Sequence, residues 1–281
     1  MFKIVSKKKL NPTVTQMEIY APDIAKKAKP GEFIILRVNE NGERIPLTIA
    51  GENILEGTVK IIFQIVGATT MELNQKKEGE YIQDFVGPLG KASELDGLSK
   101  VCIIGGGAGS AIAMPLAVEL HKMGATVHSI IGFRNKDLVI LEDEFKECSD
   151  VLKIMTDDGS YGEKGLVTEA LEDLIKAGNA YDEVIAIGPI VMMKFVSLLT
   201  KKYDIKTIVS MNPIMIDGTG MCGGCRLSVG GEMKFACVDG PDFDGHLVDF
   251  DEANKRNCIY REWERHKYEE TCNLFKKTED K

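Results

Sequence analysis

The stretch Val101-Cys-Ile-Ile-Gly105-Gly-Gly-Ala-Gly-Ser110, continued by Ala111-Ile-Ala-Met-Pro-Leu-Ala-Val-Glu-Leu-His-Lys122, decides the fold of this chain. Four apolar residues run into a glycine turn, and the turn opens a segment of helical pattern from Ser110 to Lys122. A short apolar run bounded by glycine is what a strand buried on both faces looks like. Further strands are predicted at Thr126–Ile131, Val151–Met155, Glu183–Ile187 and Thr207–Ser210. Helical stretches at Leu166–Ala177 and Val191–Lys201 separate the later ones. Strands alternating with helices predict a parallel, doubly wound sheet.

The glycine turn lies at the carboxyl end of the first strand and at the start of a helix, where free backbone N–H groups suit a dinucleotide pyrophosphate. Gly105, Gly106, Gly107 and Gly109 are therefore candidate cofactor contacts, although Ser110 departs from a strict G-x-G-x-x-G.

Upstream, residues 1–97 read differently. Short strands are predicted at Pro12–Tyr20, Phe33–Val38, Thr58–Val66 and Tyr81–Val86, with a hairpin turn at Asn41-Gly42. Lys7–Lys9 reads as a solvated strand end. Many short strands in so few residues suggest a small β-barrel. Arg44-Ile-Pro46-Leu47-Thr48 lies on a strand, and Val66-Gly67-Ala68-Thr69-Thr70 spans a strand-to-helix junction. Gly67 permits close approach of a second pyrophosphate to the free N–H groups of that helix start, Thr69 and Thr70 add hydroxyls, and Arg44 can pair with its phosphates. Thr48 is the one candidate for a catalytic role, as a hydroxyl donor. Each piece alone is also what a buried strand or a capped helix would contain.

Downstream, Asp217-Gly-Thr-Gly-Met-Cys222-Gly-Gly-Cys225 is followed by Cys237. A cysteine at position 217 would make this the plant-type 2Fe–2S spacing. Glycines let backbone amides approach the sulfides and tune the cluster. With three cysteines present, the fourth ligand is Asp217, Thr219 or, if the tail folds back, Cys258. A structural zinc site would need a second ligand pair, and His246 has no companion.

The chain of 281 residues carries a formal charge of −8. No basic stripe is present to supply phosphate contacts, so nucleic acid is not an expected partner. No apolar run approaches the roughly 20 residues of a spanning helix, and the start lacks a secretory pattern. A cytoplasmic protein without membrane contact is expected. Seven cysteines, an odd number, fit free or metal-bound thiols in a reducing compartment. The expected organisation is a β-barrel domain at 1–97, an α/β nucleotide domain at 98–213, a 2Fe–2S module at 214–249 and a helical tail at 250–281, a mixed β and α/β architecture.

Arg44-x-Pro46-Leu47-Thr48, Gly67-x-Thr69-Thr70 and Gly87-Pro88-Leu89-Gly90 together resemble the FAD domain of the ferredoxin–NADP reductase superfamily. The resemblance covers nearly the whole chain. It implies FAD on the barrel and NAD(H) on the following domain, whose strand ends, with Arg134, Asp157, Gly188 and Pro189, would line the nicotinamide and adenine sites. It leans to NAD over NADP. Two branches append a 2Fe–2S loop. The electron-transfer subunit of dihydroorotate dehydrogenase uses four cysteines. The small subunit of electron-bifurcating NADH-dependent reduced ferredoxin:NADP oxidoreductases resembles this chain more, through Asp217 to Cys225 and Phe235-Ala-Cys237-Val-Asp-Gly-Pro241. That branch implies Asp217, Cys222, Cys225 and Cys237 as cluster ligands. It also implies a heterodimer with a larger flavin and iron–sulfur subunit, through which ferredoxin is served, and a tail that docks that partner or closes the subunit's own core.

Overall fold

The computed structural model describes the backbone of residues 1–279, with side chains described through residue 272. Its first sheet contains β1 (Phe2–Lys9), β2 (Val14–Tyr20), β3 (Phe33–Arg37), β4 (Arg44–Asn53), β5 (Thr58–Gln64), β6 (Tyr81–Ile82) and β7 (Asp84–Leu89). All neighbours are antiparallel, in the order β6-β1-β2-β5-β4-β3-β7. β6 and β7 lie at opposite edges, yet only Gln83 separates them in the chain. The sheet therefore curls until its edges approach, which is how a barrel shields them. Alternate residues Met17 and Ile19, Ile34 and Leu36, and Val59, Ile61 and Phe63 fill the interior. Each full burial of this kind contributes about 1.5–3 kcal/mol. The turn at Asn41-Gly42 joins β3 to β4, with the Gly42 amide donating to the Asn39 carbonyl at 3.1 Å. β1 is longer than the strand end read at Lys7–Lys9, because only Ile4 of its residues is fully buried and the lysines mask the alternation. Two helices belong to this part, α1 (Pro22–Ala25) and α2 (Ala68–Gln75).

The second sheet is built from β8 (Lys100–Gly106), β9 (Thr126–Phe133), β10 (Val151–Thr156), β11 (Glu163–Lys164), β12 (Glu183–Ile187) and β13 (Thr207–Ser210). Helices α3 (Gly109–Lys122), α4 (Glu142–Glu147), α5 (Val167–Lys176) and α6 (Ile190–Lys202) connect them. After a hairpin of β14 (Arg226–Val229) and β15 (Glu232–Phe235), β16 (Asp242–Asp244) joins this sheet beside β13 as an antiparallel edge. The order β11-β10-β9-β8-β12-β13-β16 reverses direction between β8 and β12. Open parallel sheets bind ligands at the carboxyl ends of the strands beside such a reversal.

One face of this sheet packs Ile103 and Val127 beneath α3 and α4, with Phe145 of α4 buried against it. The core on the other face runs from Cys102 and Ile104 through Met193 to Cys225, Leu227 and Cys237 and reaches Phe33 and Ile35 of the barrel. The cluster loop is thus continuous with both domains.

The tail forms α7 (Phe250–Asn257) and α8 (Arg261–Glu279). Asp249 caps α7 by accepting from the Glu252 amide at 2.9 Å. The Cys258 amide closes on the Lys255 carbonyl at 3.2 Å and that of Ile259 on Arg256 at 3.3 Å, tight bonds that end the helix. Trp263 is 75% exposed, and Thr271 alone is buried among the described side chains of α8. Residues 261–270 of this helix all present exposed side chains. No helix among the described residues is long and apolar enough to cross a membrane.

Candidate functional site

The β14–β15 hairpin explains the spacing between Cys225 and Cys237. Its turn is Gly230-Gly231, both at positive φ (+60° and +81°), and its two strands return the chain to its starting point. The Ala236 amide donates to the Cys225 carbonyl at 3.2 Å, and the two sulfurs lie 3.2 Å apart, buried. Cys222 is exposed in the same loop. The amide of Gly224, followed by those of Asp217 and Ile216, points at its sulfur and holds its thiol below the ordinary value. Burial, then the neighbouring Cys225, pushes the Cys237 thiol up to about 12, against the Gly220 amide. A group of that kind gives up its proton to a metal rather than to water.

Asp217 is half-buried at the head of the loop. Its Oδ2 accepts from the Thr219 hydroxyl, the Thr219 amide at 3.0 Å and the Met221 amide at 3.2 Å. The Thr219 hydroxyl is the largest cause holding this carboxyl below the usual range, and Arg44 adds to it. Thr219 is thereby engaged in orienting Asp217. Cys258 sits at the end of α7, lining a cleft of about 310 Å³ with Pro189, Asn212 and Asn254, outside the loop. Among the described residues no three His, Cys, Asp or Glu side chains gather on a single metal position. A buried thiol pair, an exposed thiol and a carboxylate along one amide-lined loop fit a two-iron rhomb better than one four-ligand zinc ion.

The loop is seated on the barrel. A Cβ at Gly218 (φ +84°) would lie 2.8 Å from Leu89 Cδ1 and 3.0 Å from Ile35 Cγ1. Arg44 Nε donates to the Ile216 carbonyl at 2.9 Å. At the far end Arg226 Nη1 donates to the Gly223 carbonyl at 3.0 Å, and Arg256 Nη2 to Gly224 at 3.3 Å. No motif marks these two arginines, and Arg256 comes from the charge-rich tail, where basic residues are the background.

In the flavin segment, Pro46 pairs with Ile35 across the sheet, Leu47 packs on the barrel core, and Thr48 is half-buried opposite Phe33. Thr70 Oγ1 accepts from the Val66 and Gly67 amides, both at 3.0 Å, so it caps α2. Thr69 Oγ1 donates to Glu43 Oε2 at 3.2 Å. A Cβ on Gly67 would meet nothing within 4 Å, and its φ of −146° is ordinary extended backbone. Neither packing nor strain calls for glycine there. The open space before the helix suits a phosphate that must approach the backbone.

In the nucleotide segment most glycines serve the protein's own packing. A Cβ on Gly105 would lie 2.7 Å from Ser110 Cα, one on Gly106 2.4 Å from Met192 Sδ, and one on Gly109 2.3 Å from the Ile187 carbonyl oxygen. Only Gly107, at φ +55°, faces open space. Gly188 lies against Gly106, and Pro189 precedes α6. β8 and β12 thus bring both turns together at the sheet reversal. The Ser110 hydroxyl is enclosed against Gly105 and has no hydrogen-bond partner among the described residues. Arg134 and Asp157 stand exposed at adjacent strand ends, the Asp157 amide donating to the Phe133 carbonyl at 3.1 Å. Lys136 lies 5.6 Å from the Tyr161 ring centroid.

The family described as the iron–sulfur cluster binding domain of dihydroorotate dehydrogenase B matches residues 212–249, the loop and hairpin just described. A Thermotoga maritima protein named as a homologue of the dihydroorotate dehydrogenase B (NAD+) electron transfer subunit is 48% identical over 267 residues, covering 95% of this chain and 94% of its own. The corresponding subunit of Desulforamulus reducens is 32% identical over 88% of this chain and 96% of its own. A chain in the solved structure of the NADH-dependent reduced ferredoxin-NADP oxidoreductase, described for flavin-based electron bifurcation, is 46% identical. It superposes with a TM-score of 0.91 over 96% of this chain and 97% of that one. With the barrel, the doubly wound sheet and the cysteine loop in that order, the chain belongs to the family of dihydroorotate dehydrogenase B electron transfer subunits and their homologues.

Proposed function

We propose that this chain is the FAD- and 2Fe–2S-carrying small subunit of an electron-bifurcating NADH-dependent ferredoxin:NADP oxidoreductase. The observation that carries this reading is the loop of Asp217, Cys222, Cys225 and Cys237, lined by amides aimed at sulfur and seated against the flavin strand through Gly218 and Arg44. FAD, when bound, takes electrons as a pair from a nicotinamide and passes them singly to a one-electron cluster.

The protein's part is placement. Asp217, Cys222, Cys225 and Cys237 hold the cluster. The Gly67 turn and Arg44 hold the flavin phosphates, with Thr48 as a donor to the flavin ring. The glycine turn around Gly107, with Arg134, Asp157, Gly188 and Pro189 at the neighbouring strand ends, holds the dinucleotide, read as NAD(H). No side-chain acid is needed for hydride transfer itself. A larger subunit with its own flavin and clusters completes the enzyme and serves ferredoxin, in the cytoplasm.

The match of 212–249 to the dihydroorotate dehydrogenase B domain favours a second reading, the electron transfer subunit of that enzyme. Affinity capture from native extract separates the two. A partner of the ferredoxin:NADP type, in a complex that oxidises NADPH only with ferredoxin and NAD+ together, supports the first. A partner that oxidises dihydroorotate supports the second. A chain that reduces no dye from NADH overturns both.

A further inference from the structure

Arg44 lies on the flavin strand, but its bond runs to the cluster loop. Nε donates to the Ile216 carbonyl at 2.9 Å, one residue before Asp217. No hydrogen bond or ion pair of its two terminal amino groups occurs among the described residues. The guanidinium is a planar fork with several donors, so one side can hold a carbonyl while the other holds phosphate oxygens. A separate observation places the loop on the same wall: Gly218 leaves no room for a Cβ against Ile35 and Leu89, and Ile35 pairs with Pro46 of the Arg44 strand.

We propose that Arg44 is a positioning residue that links the flavin site to the cluster loop, so that flavin occupancy and cluster retention depend on each other. The inference rests on the functional reading above. With flavin bound, the fork is clamped from its phosphate side and the loop is pinned at Ile216. Without flavin, that side has only water, the side chain regains rotamer freedom, and the loop is held less firmly next to a cluster ligand. Linkage is reciprocal: a loop fixed by an intact cluster presents Arg44 in place for the flavin, so cluster loss weakens flavin binding by the same factor.

The test uses the anaerobically purified full chain with FAD and cluster loaded, and two readouts besides activity. Iron release to a chelator is followed before and after stepwise flavin removal, and FAD dissociation is followed before and after iron removal. In the unaltered protein each removal speeds the other loss, by about tenfold in order of magnitude and with no need for the two rates to change equally. In Arg44→Met, which keeps the apolar stem but has no donor, iron release is fast and independent of flavin. In Arg44→Lys, a point charge without a fork, flavin retention partly recovers while the dependence stays lost. Arg256→Met, which frees the loop at Gly224 without touching the barrel, releases iron faster but keeps the flavin dependence. Coupling that persists in Arg44→Met, or that is absent from the unaltered protein, overturns the inference. A protein isolated with neither flavin nor a 2Fe–2S signal overturns the functional reading instead, and the two failures are distinguishable.

Discussion

Asp217 is the residue on which the cluster chemistry turns, because a carboxylate is a harder ligand than the thiolate it replaces. Its Oδ2 is already bonded to three donors, so its orientation is set before any metal arrives. Asp217→Ala is expected to lose most of its iron and its EPR signal, whereas Asp217→Cys keeps a cluster with altered g-values. Unchanged iron in the alanine variant would contradict the assignment. Asp242 carries a second prediction. It is half-buried on β16, its Oδ2 accepts from Ser93 Oγ at 2.5 Å, its enclosed Oδ1 has no partner among the described residues, and desolvation raises its pKa. A raised folded-state value means that its contribution to stability is complete below the unfolded carboxylate pKa and is lost as pH rises through the folded one. Asp242→Asn, which cannot ionise, is therefore expected to show a smaller fall in Tm from about pH 4 to about pH 8 than the unaltered protein. Parallel Tm curves would refute this. That Asp217, Cys222 and Cys225 share one loop is legible in the sequence because their spacing is local. The bond from Arg44 to Ile216 is not, since the partners are 172 positions apart and a backbone carbonyl carries no sequence signature.

At the level of the element, glycine placement separates turns built for the protein from turns built for a ligand. Gly218 combines φ +84° with contact against Leu89 and Ile35. Gly218→Val is expected to cost about 1–3 kcal/mol through strain and overpacking. The iron-to-flavin ratio should fall, because the damage lies in the loop while the barrel core is intact. Thermal denaturation and metal analysis check both, and an unchanged ratio would show that the loop tolerates displacement from the barrel. The alternating strands of the barrel and the short apolar runs of β8, β9, β12 and β13 could be read from their patterns, as could α3, α5 and α6. The β14–β15 hairpin could not: Arg226–Val229 and Glu232–Phe235 are short, mostly half-exposed and embedded among glycines, so they look like loop. The division of the tail into α7 and α8 escaped for a related reason. No proline or glycine marks the break, which is made by two tight backbone bonds at Cys258 and Ile259.

For the whole molecule, the order of barrel, parallel sheet and cysteine loop was legible because each has its own period and composition. How the three meet was not. Contact between the loop and the barrel depends on Leu89, Ile35 and Arg44, residues that look like ordinary strand members. α8 is a further case: its charges fit either docking or core closure, and the exposure of Trp263 cannot be read from its sequence neighbours. The account as a whole requires one chain to hold a flavin and a di-iron cluster together. The most direct measurement is elemental and flavin analysis with EPR on the anaerobically purified chain, before and after NADH. The expected result is iron and acid-labile sulfide in equal amounts, about one FAD per chain, and a 2Fe–2S signal that appears on reduction by NADH. Colourless protein with zinc in place of iron and sulfide, or a cluster that NADH leaves oxidised, would contradict it.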